Sequence, residues 1–435
     1  MFMWIKQTKV KSKNTEYVYY QLMKTVYLDG KSHQLVVANL GRKGEVEEVL
    51  VYRLAEAITD EPYLFLPDDL LALLPTKRLG ETFLLNKAFE ITSLRRFLED
   101  LAEFKCLGAN SVSALLFLLS YYSFQQGLPL IRDFFKKYYI RIEGDLKTTS
   151  YADAFRLLRG TPQVHPGIIS NYNKLKNSHQ LKCHYLFDVQ ADPSLVDGGS
   201  LCVDVMTDEY GFPLFYRREP HSARPMSVAA ETLYIYQSFH PSLSLAPSST
   251  RYISRITAKQ LSALANADPE LQHALQACDY SRRYGDIVYS SIDRGEYRII
   301  ALQSYLTGSS AFPPREFLIT NLSCEPPDIL NWYFRIDTIQ DTFYRIFLPK
   351  DLAFIQEQFS SSDIVDILLN IHFLRLFMET QLSTKLKPLN ISVRDAYDIF
   401  RNMRIVTLKY GNQKQFLHSI YSPMEIKVLD LLAFN

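Results

Sequence analysis

The sequence predicts a mixed α and β protein in which a strand-rich arm and a helical stretch precede a core of strands and long helices. Three observations carry this. Lysines and tyrosines alternate through two apolar runs near the N-terminus, which a DGKS turn separates. Apolar residues then recur at three- and four-residue spacing as far as Gly160. From Leu181 on, short strand-like runs alternate with turn residues and lead into two amphipathic helical patterns. A chain of 435 residues, 47% hydrophobic and 13% aromatic, is long enough for two or three packed domains, and that composition excludes a disordered chain.

The arm, residues 1–45, is read as a basic β-hairpin: EYVYYQLMKTVYL and HQLVVANLG flank the turn. Within its first 43 residues Lys6, Lys9, Lys11, Lys13, Lys24, Lys31, Arg42 and Lys43 stand against Glu16 and Asp29, a net charge of +6. The whole chain has 48 basic and 47 acidic residues, so any affinity for nucleic acid has to come from such a local patch. Lys6, Lys9, Lys11 and Lys13 are therefore the candidate phosphate contacts, with the tyrosines packing between them. Lysines that merely protect a sheet edge are the competing reading.

Residues 46–160 read as a helical domain built on VEEVLVYRLAEAI, LLNKAFEITSLRRFLEDLAEF and NSVSALLFLLSYYSFQQ. Asn110–Ser111 reads as a cap and Gly127–Leu128–Pro129 as a break. The apolar stretch Val112–Tyr122 is too short to span a bilayer.

Residues 161–410 read as the core, with 411–435 a tail. Leu181–Val189, LKCHYLFDV, is a strand with Asp188 near its end, and Leu201–Met206 with Pro213–Arg218 form a hairpin across TDEYGF. EPHSARPMSVAAETLYIYQSF then leads into a Pro/Ser-rich loop with no strand read there, so the middle, about 220–315, looks shortened. DIVYSSIDRGEYRII reads as two strands around a turn at Asp293–Gly295. Pro326–Pro327–Asp328 opens a helix with Ile329, Trp332, Tyr333, Ile336, Ile339, Phe343 and Phe347 on one face and Gln340 beside it. A second helix follows in SSDIVDILLNIHFLRLFMETQL, where His372 and Arg375 read as packed structural residues; the stretch from Ile391 to Asn435 adds a helix, the strand MRIVTLKYG and a last short helix.

The stretch Phe317–Phe343 resembles the C-terminal catalytic segment of DDE-type insertion-sequence transposases, whose helix carries Tyr-x2-Arg-x3-Glu-x6-Lys. Aligned on Tyr333, this chain has Ile336 for the Arg, Gln340 for the Glu and Phe347 for the Lys. The arm, closing on Leu40–Gly41, the strand ending at Asp188 and the Asp208-to-Pro213 turn also resemble segments of that family. The resemblance implies a ribonuclease H-like core in which carboxylates from two strands and a helix bind two divalent cations, Mg2+ or Mn2+. Asp188 would be the first ligand, Gln340 stands at the last, and Asp293 is a candidate for the second, although its context reads as a hairpin turn. It also implies DNA as partner and allows a homo-oligomer.

A neutral Gln removes charge from a site that must concentrate two dications. Asp341 does not replace it on the same face, since neighbouring helix positions lie about 100° apart. Three readings follow: a family member with impaired catalysis that binds DNA, which is favoured; an active enzyme with divergent ligands drawn from Asp188, Asp192, Asp197, Asp204 and Asp341; or a scaffold without DNA contact. Five scattered cysteines, Cys106, Cys183, Cys202, Cys278 and Cys324, form no zinc or redox motif and are expected as buried thiols. With no signal-peptide core or membrane span read, a cytoplasmic protein is expected.

Overall fold

The computed structural model describes residues 3–12, 15–28, 31–45, 71–73, 77–124, 130–138, 140, 146–159, 165–176, 180–219, 231–237, 250–304, 315–401, 403–410, 413–418 and 422–433. It is a mixed α and β structure whose chain divides into two compact units. One comprises Met1–Ala88, Ile131–Arg141 and Ser383–Asn435; the other comprises Phe89–Leu130 and Ile142–Leu382. These boundaries cut across the segments 46–160 and 161–410 expected from the sequence. The predicted helix within VEEVLVYRLAEAI and the break at Gly127–Pro129 lie outside the described residues.

In the first unit, β1 (Met3–Ser12), β2 (Thr15–Leu28) and β3 (Lys31–Arg42) form an antiparallel meander. The predicted hairpin is β2–β3. The lysine-rich segment before it is a third full strand, paired from Met3↔Lys24 to Ser12↔Thr15. A second antiparallel sheet joins β4 (Leu71–Leu73) and β5 (Lys77–Arg78) to strands of the C-terminal tail described below.

The long helix expected over LLNKAFEITSLRRFLEDLAEF is two, α1 (Gly80–Ile91) and α2 (Leu94–Phe104). The break falls at Ser93, whose left-handed backbone (φ 53°) no continuous helix tolerates. Then come α3 (Ala109–Phe124), α4 (Ile131–Lys137), α5 (Thr148–Leu158) and α6 (Pro166–Lys176). In α3 nearly every residue is buried, the behaviour of a helix apolar all round. It starts at Ala109, so the expected cap Asn110–Ser111 lies within its first turn, and Ser111 bonds back to the Gly108 carbonyl at 2.7 Å.

Among the described residues the large sheet of the second unit has ten strands. It is built from β6 (Lys182–Ala191), β7 (Ser200–Asp208), β8 (Pro213–Glu219), β9 (Thr232–Tyr236) and β10 (Arg251–Ile256). After α7 (Ala258–Ala267) and α8 (Pro269–Gln276) it continues in β11 (Arg282–Tyr284), β12 (Ile287–Asp293), β13 (Arg298–Ser304) and β14 (Arg315–Thr320). Helix α9 (Pro326–Thr342) leads into β15 (Arg345–Ile346), and α10 (Ser361–Leu386) follows. The strand order is β11-β12-β13-β14-β10-β9-β6-β7-β8, with β15 on β6. β6, β9 and β10 run parallel; β7 is antiparallel to β6, and β8 to β7. One face packs on α9 and α10, as in the Phe187–Phe343 and Tyr216–Phe373 ring contacts at 5.9 and 5.1 Å. The other packs Ile256, Ile292, Ile299 and Ile319 against Leu261, Ala265 and Leu271 of α7 and α8.

Strand β9 corrects the sequence reading, which saw no strand between the β7–β8 hairpin and the Pro/Ser-rich loop. All five residues of TLYIY are buried, as in an inner parallel strand covered on both faces, so no alternation marks it.

The tail returns to the first unit with α11 (Val393–Phe400), β16 (Arg404–Tyr410), β17 (Gln413–His418) and α12 (Pro423–Ala433). β16 pairs with β17, β4 and β5. Gly80 is wedged against α11: a Cβ there would stand 1.7 Å from the Phe400 carbonyl oxygen and 2.6 Å from its carbon. Backbone cannot yield as a flexible side chain would, so Gly80→Ala should cost at least the ~1–3 kcal/mol of an overpacked core. Urea denaturation measures it; a loss within about 0.5 kcal/mol would show that α11 shifts freely.

Candidate functional site

The structure brings α9 to the end of β9. Gln237, the first residue past β9, donates its backbone N–H to the Leu186 carbonyl of β6 at 3.1 Å. Its side-chain Nε2 donates to Gln340 Oε1 at 2.7 Å. Pairing along this side of β6 runs from Lys182↔Thr232 to Leu186↔Tyr236 on β9, then resumes with Gln190↔Arg345 on β15. Asp188 stands in the interval between them, beside the point where Gln237 leaves the sheet. The ends of β6, β9 and α9 thus meet in one place.

The side chains divide between the two faces. Phe187 touches Phe343 at the end of α9, and Val189 is buried, so strand alternation sends Asp188 out on the opposite face, where it is exposed. Gln340, half-buried, pairs with Gln237 on the α9 face. Gln237 was missed in the sequence because β9 was missed. The available signal was an apolar run ending on a polar residue, YIY-Gln, the same cadence as YLF-Asp at Asp188.

Asp293 is not brought to this place. It ends β12, and β13, β14, β10 and β9 lie between that strand and β6, five steps of about 4.8 Å each. Its carboxylate accepts from the Gly295 N–H at 2.9 Å and pairs with Arg298 at 3.0 Å. Those bonds hold its carboxyl below the usual carboxylate range, the largest effect being the Gly295 hydrogen bond. Asp293 is a turn residue.

The other carboxylates considered as divergent ligands have different surroundings. Asp192 accepts from the Ser194 N–H at 2.9 Å, Asp197 lies exposed in a short turn, and Asp341 is exposed on α9. Asp204 is buried and bonded twice over: His184 Nδ1 lies 2.9 Å from its Oδ2, and Arg217 Nε donates to the same oxygen at 3.1 Å. The carboxylate only accepts, so the proton of that bond sits on Nδ1. Asp337 on α9 is pushed up by burial first, then by the charges of Glu316 and Asp341, with Arg255 opposing.

The remaining family positions on and after α9 are core. Ile336 is fully buried where the resemblance puts an Arg. Phe347 lies past the helix end, 5.7 Å from the Tyr122 ring, and its carbonyl accepts from the Tyr122 hydroxyl at 2.8 Å.

His372 is buried between Tyr122 and Phe343 at 5.3 and 5.9 Å. Burial, helped by the Arg375 charge, lowers its pKa from 6.5 to about 3. The unfolded chain therefore takes up a proton below pH 6.5 that the folded chain refuses. Stability is complete above that pH and declines as the pH falls toward 3. At pH 5 the loss from this group should be about 2 kcal/mol. His372→Leu should flatten the difference between urea midpoints at pH 7 and pH 5; an unchanged difference would remove His372 as its source.

In the arm, Lys6, Lys9 and Lys11 are all exposed, and Lys13 lies outside the described residues. Alternation puts Lys9 and Lys11 on one face of β1 and Lys6 on the other. Lys9 pairs with Glu16 at 2.8 Å. Cys183 is buried as expected; Cys106 is exposed, correcting the expectation of buried thiols throughout.

No protein-family model matches the chain, and no curated protein matches it. Among the described residues no group of three or more His, Cys, Asp or Glu side chains is arranged to hold a metal ion, and no helix is long and apolar enough to cross a membrane. The amide pair itself does not fit a pair of hard dications. Its oxygens are neutral, one already accepts a hydrogen bond, and neither amide takes up a proton near neutral pH.

Proposed function

We propose that this chain is a DNA-binding protein of the DDE-transposase lineage, with a ribonuclease H-like core whose strand-cutting chemistry is impaired. The observation that carries the reading is the Gln237–Gln340 hydrogen bond at the end of β9, beside β6. The order β8-β7-β6-β9-β10, with β7 alone antiparallel among its neighbours, supports a ribonuclease H-like core. The resemblance implies a site to which separate strands and a helix bring carboxylates. On this reading Gln237 follows the strand that would carry the second carboxylate and Gln340 stands for the last, while Asp188, on β6 between them, emerges on the opposite face of the sheet from the amide pair. A site that has lost two anionic ligands while the arm keeps its +6 charge fits retained DNA contact without catalysis.

Duplex binding tests the reading. Affinity should fall with salt at a log–log slope of about −0.9 per phosphate contacted. Replacing Lys6, Lys9, Lys11 and Lys13 by Ala should flatten the slope and weaken all sequences alike, because phosphate contacts carry no base information. An unchanged slope would take the arm out of the interface. No binding at low salt would favour the scaffold.

A further inference from the structure

The face of β6, β7 and β8 turned away from α9 and α10 holds a histidine that neither the amide pair nor the arm uses. Phe187 and Tyr216 point to the helix side, so alternation puts His184, Asp204 and Arg217 on the reverse. His184 Nδ1 lies 3.1 and 2.9 Å from the two oxygens of buried Asp204, and Arg217 reaches Oδ2 through Nε and Nη2, each at 3.1 Å. The cluster is built on paired strands, with Asp204 directly opposite Leu186 on one side and Arg217 on the other.

The carboxylate fixes the tautomer: Nδ1 carries the proton and Nε2 keeps its lone pair. Nε2 bonds to no other described residue, and the His184 side chain, 15% exposed, is open to solvent. Other histidines are spent. His165 uses both nitrogens, on the Thr92 carbonyl and the Gly167 N–H at 3.1 Å each, and His372 is sealed in the core.

An imidazole held this way can be a metal ligand, a general base or a nucleophile. Among the described residues no group of three or more His, Cys, Asp or Glu is arranged to hold a metal ion. A base needs a hydroxyl or thiol within hydrogen-bond reach, and Nε2 bonds none. Cys202, the thiol on this face, pairs opposite Asp188 while His184 pairs opposite Met206, so about 13 Å of strand separates them. The ring itself is then the nucleophile. The Arg217 guanidinium, bound to the same carboxylate, sets a positive charge beside it, which suits an incoming phosphoryl group.

We propose that His184 is a phosphoryl-acceptor site, modified on Nε2 by an acyl phosphate. The Nε2 lone pair attacks phosphorus; the N–P bond forms as the bond from phosphorus to the acyl oxygen breaks, and the carboxylate leaves with that electron pair. No proton has to move, because the positive charge gained by the ring is offset by Asp204 through Nδ1–H. Asp204 is a positioning residue in this step, and the inference is independent of the DNA-binding reading.

Incubating the full chain with acetyl phosphate in mildly alkaline buffer tests it. The mass should rise by one phosphoryl group that acid removes and alkali leaves in place, and peptide mapping should put it on His184 ahead of exposed His273. Phosphorus NMR of the labelled protein should show the Nε2 isomer alone, since Asp204 occupies Nδ1. His184→Gln should lose the label while keeping the wild-type circular dichroism. If that variant misfolds, the isomer and the ratio of His184 to His273 labelling in the wild type decide without it. No label, a label shared evenly with His273, a label on Nδ1, or transfer of acetyl instead of phosphoryl would each overturn the proposal.

Discussion

Incubated with duplex DNA and Mg2+ or Mn2+, the purified protein should leave every strand intact, and Gln340→Glu alone should not change that. Two-metal phosphoryl transfer needs anionic oxygens that hold both ions and share charge with the transition state. Here the meeting point of β9 and α9 offers a closed amide pair, and introducing one carboxylate still leaves Gln237 beside it. The double variant Gln237→Asp, Gln340→Glu makes a sharper comparison. Two carboxylates where the amides now bond should repel each other in metal-free solution and lower stability relative to the wild type. Mn2+ should then recover it, by about 2.7 kcal/mol at a hundredfold excess over its dissociation constant. The wild-type melting temperature should not respond to the ion. Metal-dependent cleavage by the wild type that disappears in Asp188→Ala would overturn this account.

Whether a part of this site could be read in the sequence depended on how many faces of it are solvated. Helix α9 was legible because its apolar stripe at Ile329, Tyr333, Ile336 and Ile339 faces the core while Asp341 faces out, and Gln340 fell at the margin, where the structure has it. The β12–β13 turn was legible from Asp293 and Gly295, since a side-chain acceptor and a residue free to adopt φ 80° are what such a turn demands. β9 was not legible, because an inner strand five residues long, buried on both faces, has no period to detect. With it went Gln237, half of the amide pair. The face on which Asp188 emerges was equally hidden: alternation fixes it relative to Phe187, but only the contact with Phe343 says which face meets α9. The third strand of the arm was obscured by its own lysines, which resemble a disordered basic tail until paired with β2.

Asp204→Ala should destabilise the second unit by about 3–5 kcal/mol, the range for breaking a buried ion pair by removing one partner. The side chain of Asp204 is 2% exposed, while those of its partners His184 and Arg217 are 15% and 27% exposed. Removing the carboxylate strands a guanidinium and an imidazole N–H in the middle of the β6–β7–β8 sheet, with the His184 ring already held against Tyr234 at 5.1 Å. The cost is the desolvation of those groups rather than the worth of the pair itself, and this gives the test a second arm. Replacing Asp204 and Arg217 together by Leu and Met should recover most of the loss, because no unpaired charge then remains. A single-variant cost below about 1 kcal/mol would mean that water reaches the cluster. The two outcomes also bear on catalysis with divergent ligands: a carboxylate whose removal costs several kcal/mol of folding energy is committed to His184 and Arg217, and would have to release them before it could hold a metal ion.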